Sequence, residues 1–508
     1  MLDIQNVSLT LKKDGRVLVR GLSFTLSPGD RMALIGEEGN GKSTLLRFLA
    51  NPHAVETYCE AEGRVEAHGG RIGYLEQDMP PEDKQRPVRA FFENVDVYDN
   101  GMLWELGLAP EWLQSDRPAG TLSGGEKVKL RLAALLATGP DVLLLDEPTN
   151  DLDLPSLEWM EGFLRRTAMP VLYISHDETL LERTATGILH LEQVRRKTMP
   201  RHTVAALGYA DYVRERGLAL AKQEQVARKQ QANHQAQMER WQQIYNRVDH
   251  ELHAISRRDP AGGRLLKKKM KGLKSQEKRL ERAADDFEQI PDVEEAIAYQ
   301  FAAGITLPKS KEVLRIDLDR LMAGERELAH GISLYVQGPR HVAILGSNGQ
   351  GKTTLLRQFW EQLRERTDIR AGYMPQDYDE ALAGAAAPTD FLAPEGGKEA
   401  VTRACTLLGS LKFTPDEMRG PVQALSGGQK AKLLLARLLL TGCNVLLLDE
   451  PTRNLSPLSA PVIRQALASY GGAMVTVTHD RKLMAEVCTE WWELTADGLV
   501  RLQRDAFL

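Results

Sequence analysis

The sequence predicts an α/β fold built twice, with a long antiparallel α-helical hairpin joining the two copies. Three observations carry this reading. A glycine-rich segment, GEEGNGKST from Gly36, returns as GSNGQGKTT from Gly346. VLLLDEPT at 142–149 recurs at 445–452, and LSGGE at 122–126 recurs as LSGGQ at 425–429, both offset by 303 residues. Between the copies, the chain drops strand-like patterning for apolar residues at helical spacing. The 508 residues suffice for about three domains of roughly 150 each, and the expected boundaries are 1–203, 204–300 and 301–508.

Each glycine-rich loop follows an apolar run, MALIG ending at Gly36 and VAILG ending at Gly346, and precedes a helical stretch. That strand, loop, helix context is what a phosphate-binding GxxxxGK[ST] loop requires, because its backbone N–H groups must turn inward and the helix adds its positive end. The first loop comprises Gly36, Glu37, Glu38, Gly39, Asn40, Gly41, Lys42, Ser43 and Thr44; the second comprises Gly346, Ser347, Asn348, Gly349, Gln350, Gly351, Lys352, Thr353 and Thr354. Lys42 and Lys352 have the reach for the terminal phosphates of a nucleotide. Ser43 and Thr353 offer hydroxyl oxygens to Mg²⁺, a hard cation that prefers oxygen ligands.

VLLLDE reads as a buried strand with two acids at its carboxyl end, the edge where open α/β sheets bind ligands. Asp146 and Asp449 are expected to orient the metal and its waters. Glu147 and Glu450 are then free to act as general bases on a water molecule. His176 in LYISHDE and His479 in VTVTHDR close a third apolar strand, where an imidazole can hydrogen-bond a γ-phosphate. Gln77 in YLEQD and Gln376 in YMPQD follow a short strand and are placed to touch the metal and the water.

LSGGE and LSGGQ add Ser123, Gly124, Gly125 and Glu126, and Ser426, Gly427, Gly428 and Gln429, at the start of a helix, a second set of anion donors. In this order the motifs resemble ATP-binding cassette ATPase domains. That resemblance implies that the signature of one cassette closes over ATP held by the other, so ATP on Lys42 is covered by residues 426–429 and ATP on Lys352 by residues 123–126. Two departures stand out. The first acid pair is followed by TNDLD, ending in Asp153, and the second by TRNLS, ending in Ser456, which predicts uneven sites. Leu11 and Leu321 stand where such cassettes often carry an aromatic against adenine.

The residues between the cassettes have a chemistry of their own. Trp241, Ile244, Tyr245, Val248, Leu252 and Ile255 define one apolar helical face ending near Ser256; RRDPAGG, around Pro260, Gly262 and Gly263, reads as a breaker. A second helix to about Gln289, stopped by Pro291, repeats Leu266, Met270, Leu273, Leu280 and Phe287 at coiled-coil spacing. At a rise of ~1.5 Å per residue the two helices extend roughly 70 Å and 40 Å, beyond the size of a cassette. Residues 254–283 hold eleven bases and three acids, a local +8 within a total of −5, which leaves −13 for the rest. Such asymmetry favours one localised contact with a phosphate backbone over general adhesion to polyanions. The candidate contacts are Arg257, Arg258, Arg264, Lys267, Lys268, Lys269 and Lys271.

Cys59, Cys405, Cys443 and Cys488 show no metal-like spacing, and buried reduced thiols are expected. Residues 1–10 alternate like a strand, and no apolar run approaches the ~20 residues that span a bilayer. A cytoplasmic protein without a membrane partner is expected. Tandem cassettes, GYADY at 208–212 and a basic hairpin together resemble the ABC-F family of translation factors. The resemblance implies an ATP-hydrolysing monomer, with ATP and Mg²⁺ as cofactors, whose cassettes close as a clamp on the ribosome. It also implies a hairpin directed at 23S rRNA and P-site tRNA near the peptidyl-transferase centre. The short 50–77 stretch and the absence of a long basic tail lean toward antibiotic protection over a housekeeping role in stalling. A DNA-associated cassette protein and a fused pair of importer ATPases remain the alternatives, because charge alone does not separate RNA from DNA.

Overall fold

Parallel strands buried on both faces read as continuous apolar runs rather than alternating ones. Three runs in each half behave this way. The strands of the first half are β1 (Leu2–Leu11), β2 (Val17–Leu26), β3 (Arg31–Ile35), β4 (Cys59–Glu66), β5 (Ile72–Leu75), β6 (Val142–Asp146), β7 (Val171–Ile174), β8 (Gly187–Gln193) and β9 (Met199–Ala205). Those of the second are β10 (Glu312–Ala323), β11 (Arg326–Gln337), β12 (His341–Leu345), β13 (Ala371–Met374), β14 (Val445–Asp449), β15 (Ala473–Val477), β16 (Glu490–Thr495) and β17 (Gly498–Leu502). Every residue of β6, β7, β12, β14 and β15 is buried. The computed structural model describes residues 1–93, 106, 108–150, 152–194, 199–254, 260–285, 287 and 305–504.

The two six-stranded sheets have the orders β5-β6-β7-β3-β8-β9 and β13-β14-β15-β12-β16-β17, parallel except for the last strand of each. This order stands the carboxyl ends of β5, β6, β7 and β3 side by side. Gln77, Glu147, His176 and the loop before Lys42 follow those strands, so residues far apart in sequence converge on one sheet edge. The same holds for Gln376, Glu450, His479 and the loop before Lys352. The first half also carries an antiparallel sheet of order β2-β1-β4, whereas the second has only the β10–β11 pair among the described residues.

Met1–Ala210 and Glu294–Leu508 form one compact unit, and Asp211–Val293 forms another. Within the first unit the two cassettes meet through ion pairs. Arg464 holds Glu178 through both guanidinium nitrogens, one at 3.2 Å, and both side chains are buried. Arg481 engages Glu161 and Asp177, and Lys482 engages Glu178 and Glu182. In the pairs that cross, the bases come from the second cassette and the acids from the first, while Arg464 also holds Glu486 and Glu161 also holds Arg183 within their own cassettes. Buried charges that lose their partner cost about 3–5 kcal/mol, so the network favours pairing of unlike cassettes over like ones. Tyr209 of GYADY, also buried, donates its hydroxyl to the Pro457 carbonyl at 2.9 Å.

The second unit holds most of helix Tyr209–Ala254 together with helix Pro260–Asp285. Trp241, Val248 and Leu273 are its buried centre, flanked by Met238, Tyr245, Leu266, Met270 and Leu280, and the Trp241 indole N–H donates to the Leu273 carbonyl at 2.9 Å. Phe287 meets His234 edge to face. Two expectations are corrected. Ile244 is 45% exposed, since a two-helix seam is narrower than the face of a helix on a globular core. Gly262 and Gly263 lie inside the second helix, which Pro260 opens; the first-turn N–H groups lack helical partners anyway, so proline and glycine are tolerated there. Ile255, Ser256, Arg257, Arg258, Gln289 and Pro291 lie outside the described residues.

Candidate active site

The first loop wraps tightly because glycine alone fits its turns. Gly36 has φ 149°, and a Cβ there would stand 2.3 Å from the Leu191 carbonyl oxygen. Gly41, at φ 88°, caps helix Lys42–Ala50, which carries Ser43 and Thr44 in its first turn. The Lys42 ammonium is buried and donates to the carbonyls of Gly36 at 2.9 Å and Glu37 at 3.1 Å. Burial pushes its pKa down, against the pull of the Glu147, Glu38, Asp146 and Glu37 carboxylates. Asn40 donates its side-chain amide to the Leu191 carbonyl at 3.0 Å, and Arg16 donates to the Gly39 carbonyl at 2.9 Å.

Around Asp146 and Glu147 the first site is densely bonded. Ser43 donates to Asp146 Oδ1 at 3.0 Å, and the Tyr74 hydroxyl donates to Oδ2 at 3.2 Å. Burial raises the Asp146 pKa to about 6. Glu147 takes the left-handed conformation at φ 49°, as Glu450 does at φ 50°. A non-glycine residue held there stores strain, which concentrates at functional sites. Gln77 and Asn150 both donate to Glu147 Oε2, at 3.2 and 2.5 Å. His176 Nε2 lies 3.2 Å from Glu147 Oε1, while its Nδ1–H donates to the Leu455 carbonyl of the other cassette at 2.6 Å. Burial alone would raise Glu147, but the His176 hydrogen bond and charge, with Lys42 and Asn150, hold it at about 2.

The second site has the same residue types and a different state. Lys352, in the first turn of helix Lys352–Arg364 with Thr353 and Thr354, donates to the carbonyls of Gly346 at 2.7 Å and Ser347 at 3.0 Å. Gln350 donates to the Leu328 carbonyl at 3.1 Å. Asp449 is buried with neither carboxylate oxygen hydrogen-bonded, and both ring nitrogens of His479 are likewise unpartnered. Burial, reinforced by the neighbouring Asp449, raises the Glu450 pKa above the usual carboxylate range, and burial with the Lys352 charge lowers His479 to about 4. His479 Nε2 stays 3.8 Å from Glu450 Oε1. One cavity is lined by Asn348, Gln376, Glu450 and His479 and also by Asn150 and His176 of the first cassette.

Contacts across the cassettes join loop to signature. Gly428, near the start of helix Gly427–Thr441, donates its N–H to Glu38 of the first loop, and Lys412 pairs with Glu37 at 3.1 Å. Asp153, from the first cassette, acts by its charge on Lys352 and His479. It caps helix Leu154–Arg166 by accepting from Ser156 N at 3.2 Å, and Ser156 in turn stands against Gly125 of the first signature. Ser456, its counterpart, accepts from Ser459 N at 3.2 Å in the turn before helix Ala460–Ala468, which has no side-chain cap, and brings no charge. The side chains of Ser123 with Glu126, and of Ser426 with Gln429, close capping boxes on their own helices. That leaves the backbone N–H groups of Gly124, Gly125 and Gly427 to face an incoming ligand, while that of Gly428 is already taken by Glu38.

Sequence reasoning missed Arg16, Tyr74, Asn150, Lys412 and the Leu455 carbonyl. Asn150 alone left a signal, since superposing the repeats sets it against Arg453. Two acids, a lysine, a histidine and a glutamine on one sheet edge, over a loop that presents backbone N–H groups, define a nucleotide-binding hydrolase of the ATP-binding cassette class. The family model described as ABC transporter matches residues 19–150 and 329–453. The chain is 30% identical to the tylosin resistance ATP-binding protein TlrC of Streptomyces fradiae, over 97% of each protein. It is 28% identical to the ribosome protection protein VmlR of Bacillus subtilis (99% of this chain, 88% of that one). With ATP-binding cassette sub-family F member 3 of Pongo abelii it shares 26% over 99% of this chain and 72% of that one. A solved structure of RNase-L inhibitor shares the fold at TM-score 0.57 and 17% identity, covering 98% of this chain and 91% of that one. The chain belongs to the ABC-F family and is an ATPase. Among the described residues no helix is long and apolar enough to cross a membrane.

Proposed function

We propose that this chain is a cytoplasmic, monomeric ribosome-binding ATPase that closes its two cassettes on ATP and Mg²⁺. Its hairpin addresses P-site tRNA and 23S rRNA at the peptidyl-transferase region, and its role is protection of the ribosome from an antibiotic. Lys42 and Lys352 bind the terminal phosphates, assisted by the loop N–H groups. Ser43, Asp146 and Gln77, and Thr353, Asp449 and Gln376, are the ligands for Mg²⁺, which when bound neutralises phosphate charge. The unpartnered oxygens of buried Asp449 fit a cation, and the unpartnered ring of His479 fits a phosphate. Glu147 and Glu450 accept the proton of the attacking water, while His176 and His479 orient the reacting phosphate.

The observation that carries the ribosomal reading is the two-sided chemistry of helix Pro260–Asp285. Leu266, Met270 and Leu273 pack toward Trp241 and Val248, whereas Arg264, Lys267, Lys268, Lys269 and Lys271 are exposed. A surface of this kind suits a phosphate backbone, and VmlR and TlrC, by their names, are a ribosome protection and a resistance protein.

The test uses the full chain with Glu147→Gln and Glu450→Gln, trapped with ATP, in ribosome co-sedimentation across a salt series. Changing Arg264, Lys267, Lys268 and Lys271 to alanine should weaken binding and flatten the log–log salt slope by about three to four, near one unit per phosphate contact. Unchanged affinity and slope would remove the hairpin from the interface.

A further inference from the structure

The two phosphate loops differ at two positions that bear charge. Glu37 and Glu38 stand where the second loop has Ser347 and Asn348. Four carboxylates, those of Glu147, Glu38, Asp146 and Glu37, therefore act on Lys42. On Lys352 only Glu450, Asp449 and Asp153 do so. An anionic nucleotide entering the first loop meets more negative charge than one entering the second, and like charges at such range repel strongly in a partly desolvated site.

Glu38 is also engaged with the other cassette. Its Oε2 accepts the Gly428 N–H. Its Oε1 and Oε2 each stand 3.3 Å from where a Cβ would project at Gly427 and Gly428 respectively, so the carboxylate lies across both glycines of the second signature. Those glycines open a fifteen-residue helix, whose N-terminal N–H groups carry partial positive charge. A carboxylate and a phosphate oxygen compete for the same donors there. Glu37, one residue earlier, reaches Lys412 of the same cassette at 3.1 Å. The first loop thus brings its own anions to the partner that the cassette reading reserves for the nucleotide.

We propose that Glu38 is an internal stand-in for a nucleotide phosphate: it holds the second signature on the first loop until ATP displaces it, making the first site the weaker and more cation-dependent binder. This rests on the reading that the composite sites bind ATP. Because a displaced carboxylate leaves its N–H partner to the phosphate, removing the acid favours the nucleotide-bound state directly. Asn348 shows what the second loop uses instead.

The experiment is titration of a fluorescent ATP analogue, with and without Mg²⁺, into the full chain without ribosomes. The second site is silenced by Lys352→Ala and hydrolysis by Glu147→Gln. Glu38→Asn and Glu38→Gln should each tighten first-site binding by about tenfold, the scale of one charge-assisted hydrogen bond, and lower the Mg²⁺ requirement. The reciprocal change, Asn348→Glu with Lys42→Ala, should weaken the second site by a similar factor. Affinity unchanged or reduced on removing the Glu38 charge would overturn the proposal. Failure of the parent to bind the analogue at all would sink the composite-site reading itself and the proposal with it, whereas failure of ribosome binding alone would leave this result standing.

Discussion

The two sheet edges proposed for catalysis have nearly the same residues and different electrostatics. At the first, Glu147 has three hydrogen-bond partners and is held ionised; at the second, burial and the neighbouring Asp449 push Glu450 above the usual carboxylate range. The difference comes from what each half borrows from the other. His176 is anchored by the Leu455 carbonyl, which links the first edge to the second cassette, while the His479 ring is left without a hydrogen bond. Motif identity therefore does not fix the state of a site; the residue at one position of a neighbouring loop, Asn150 against Arg453, is enough to change which partners a carboxylate finds.

The histidines break this comparison most sharply. His176→Ala, measured with Glu450→Gln so that only the first site turns over, should cut ATP hydrolysis by about 100-fold, because it removes a partner that holds the general base in position. His479→Ala with Glu147→Gln should cost about tenfold, since only its contact to nucleotide is lost. Equal losses in steady-state phosphate release would show that the Leu455 anchor has no catalytic consequence.

A smaller effect is expected from Ser456→Asp. Ser456 already accepts the N–H three residues on, as Asp153 does in the other half, so the fold should tolerate the change. What it adds is the negative charge missing from the end of TRNLS, the counterpart of the one Asp153 brings to Lys352 and His479. The ratio of single-site turnovers should move by a few-fold, roughly the scale of a partly buried charge. A ratio that stays put would leave the Asp153/Ser456 charge difference without consequence for turnover.

Much of this was legible in the chain. The loops, VLLLDE, the two histidines and the two glutamines declare themselves because their chemistry needs fixed residue types at the end of apolar strands, and strand order then gathers them. The hairpin was legible from Trp241, Val248, Leu266, Met270 and Leu273 because a two-helix seam imposes a period. What escaped was contact between cassettes. Leu455 acts through a carbonyl, which no residue type reveals, and the pairing of Arg464 with Glu178 spans 286 residues without any local pattern. Ile244 was misassigned because helical spacing marks a face without giving its width.

The most direct test is the pH profile of each site alone at fixed Mg²⁺. A base works only when deprotonated. With its pKa raised by burial and by Asp449, Glu450 gains competence at higher pH than Glu147, which is held at about 2. The Glu147→Gln chain, which hydrolyses only at the second site, should therefore speed up as the pH is raised. The Glu450→Gln chain should be flat over the same range. Two superimposable profiles would contradict the claim that these matching motifs form unlike sites.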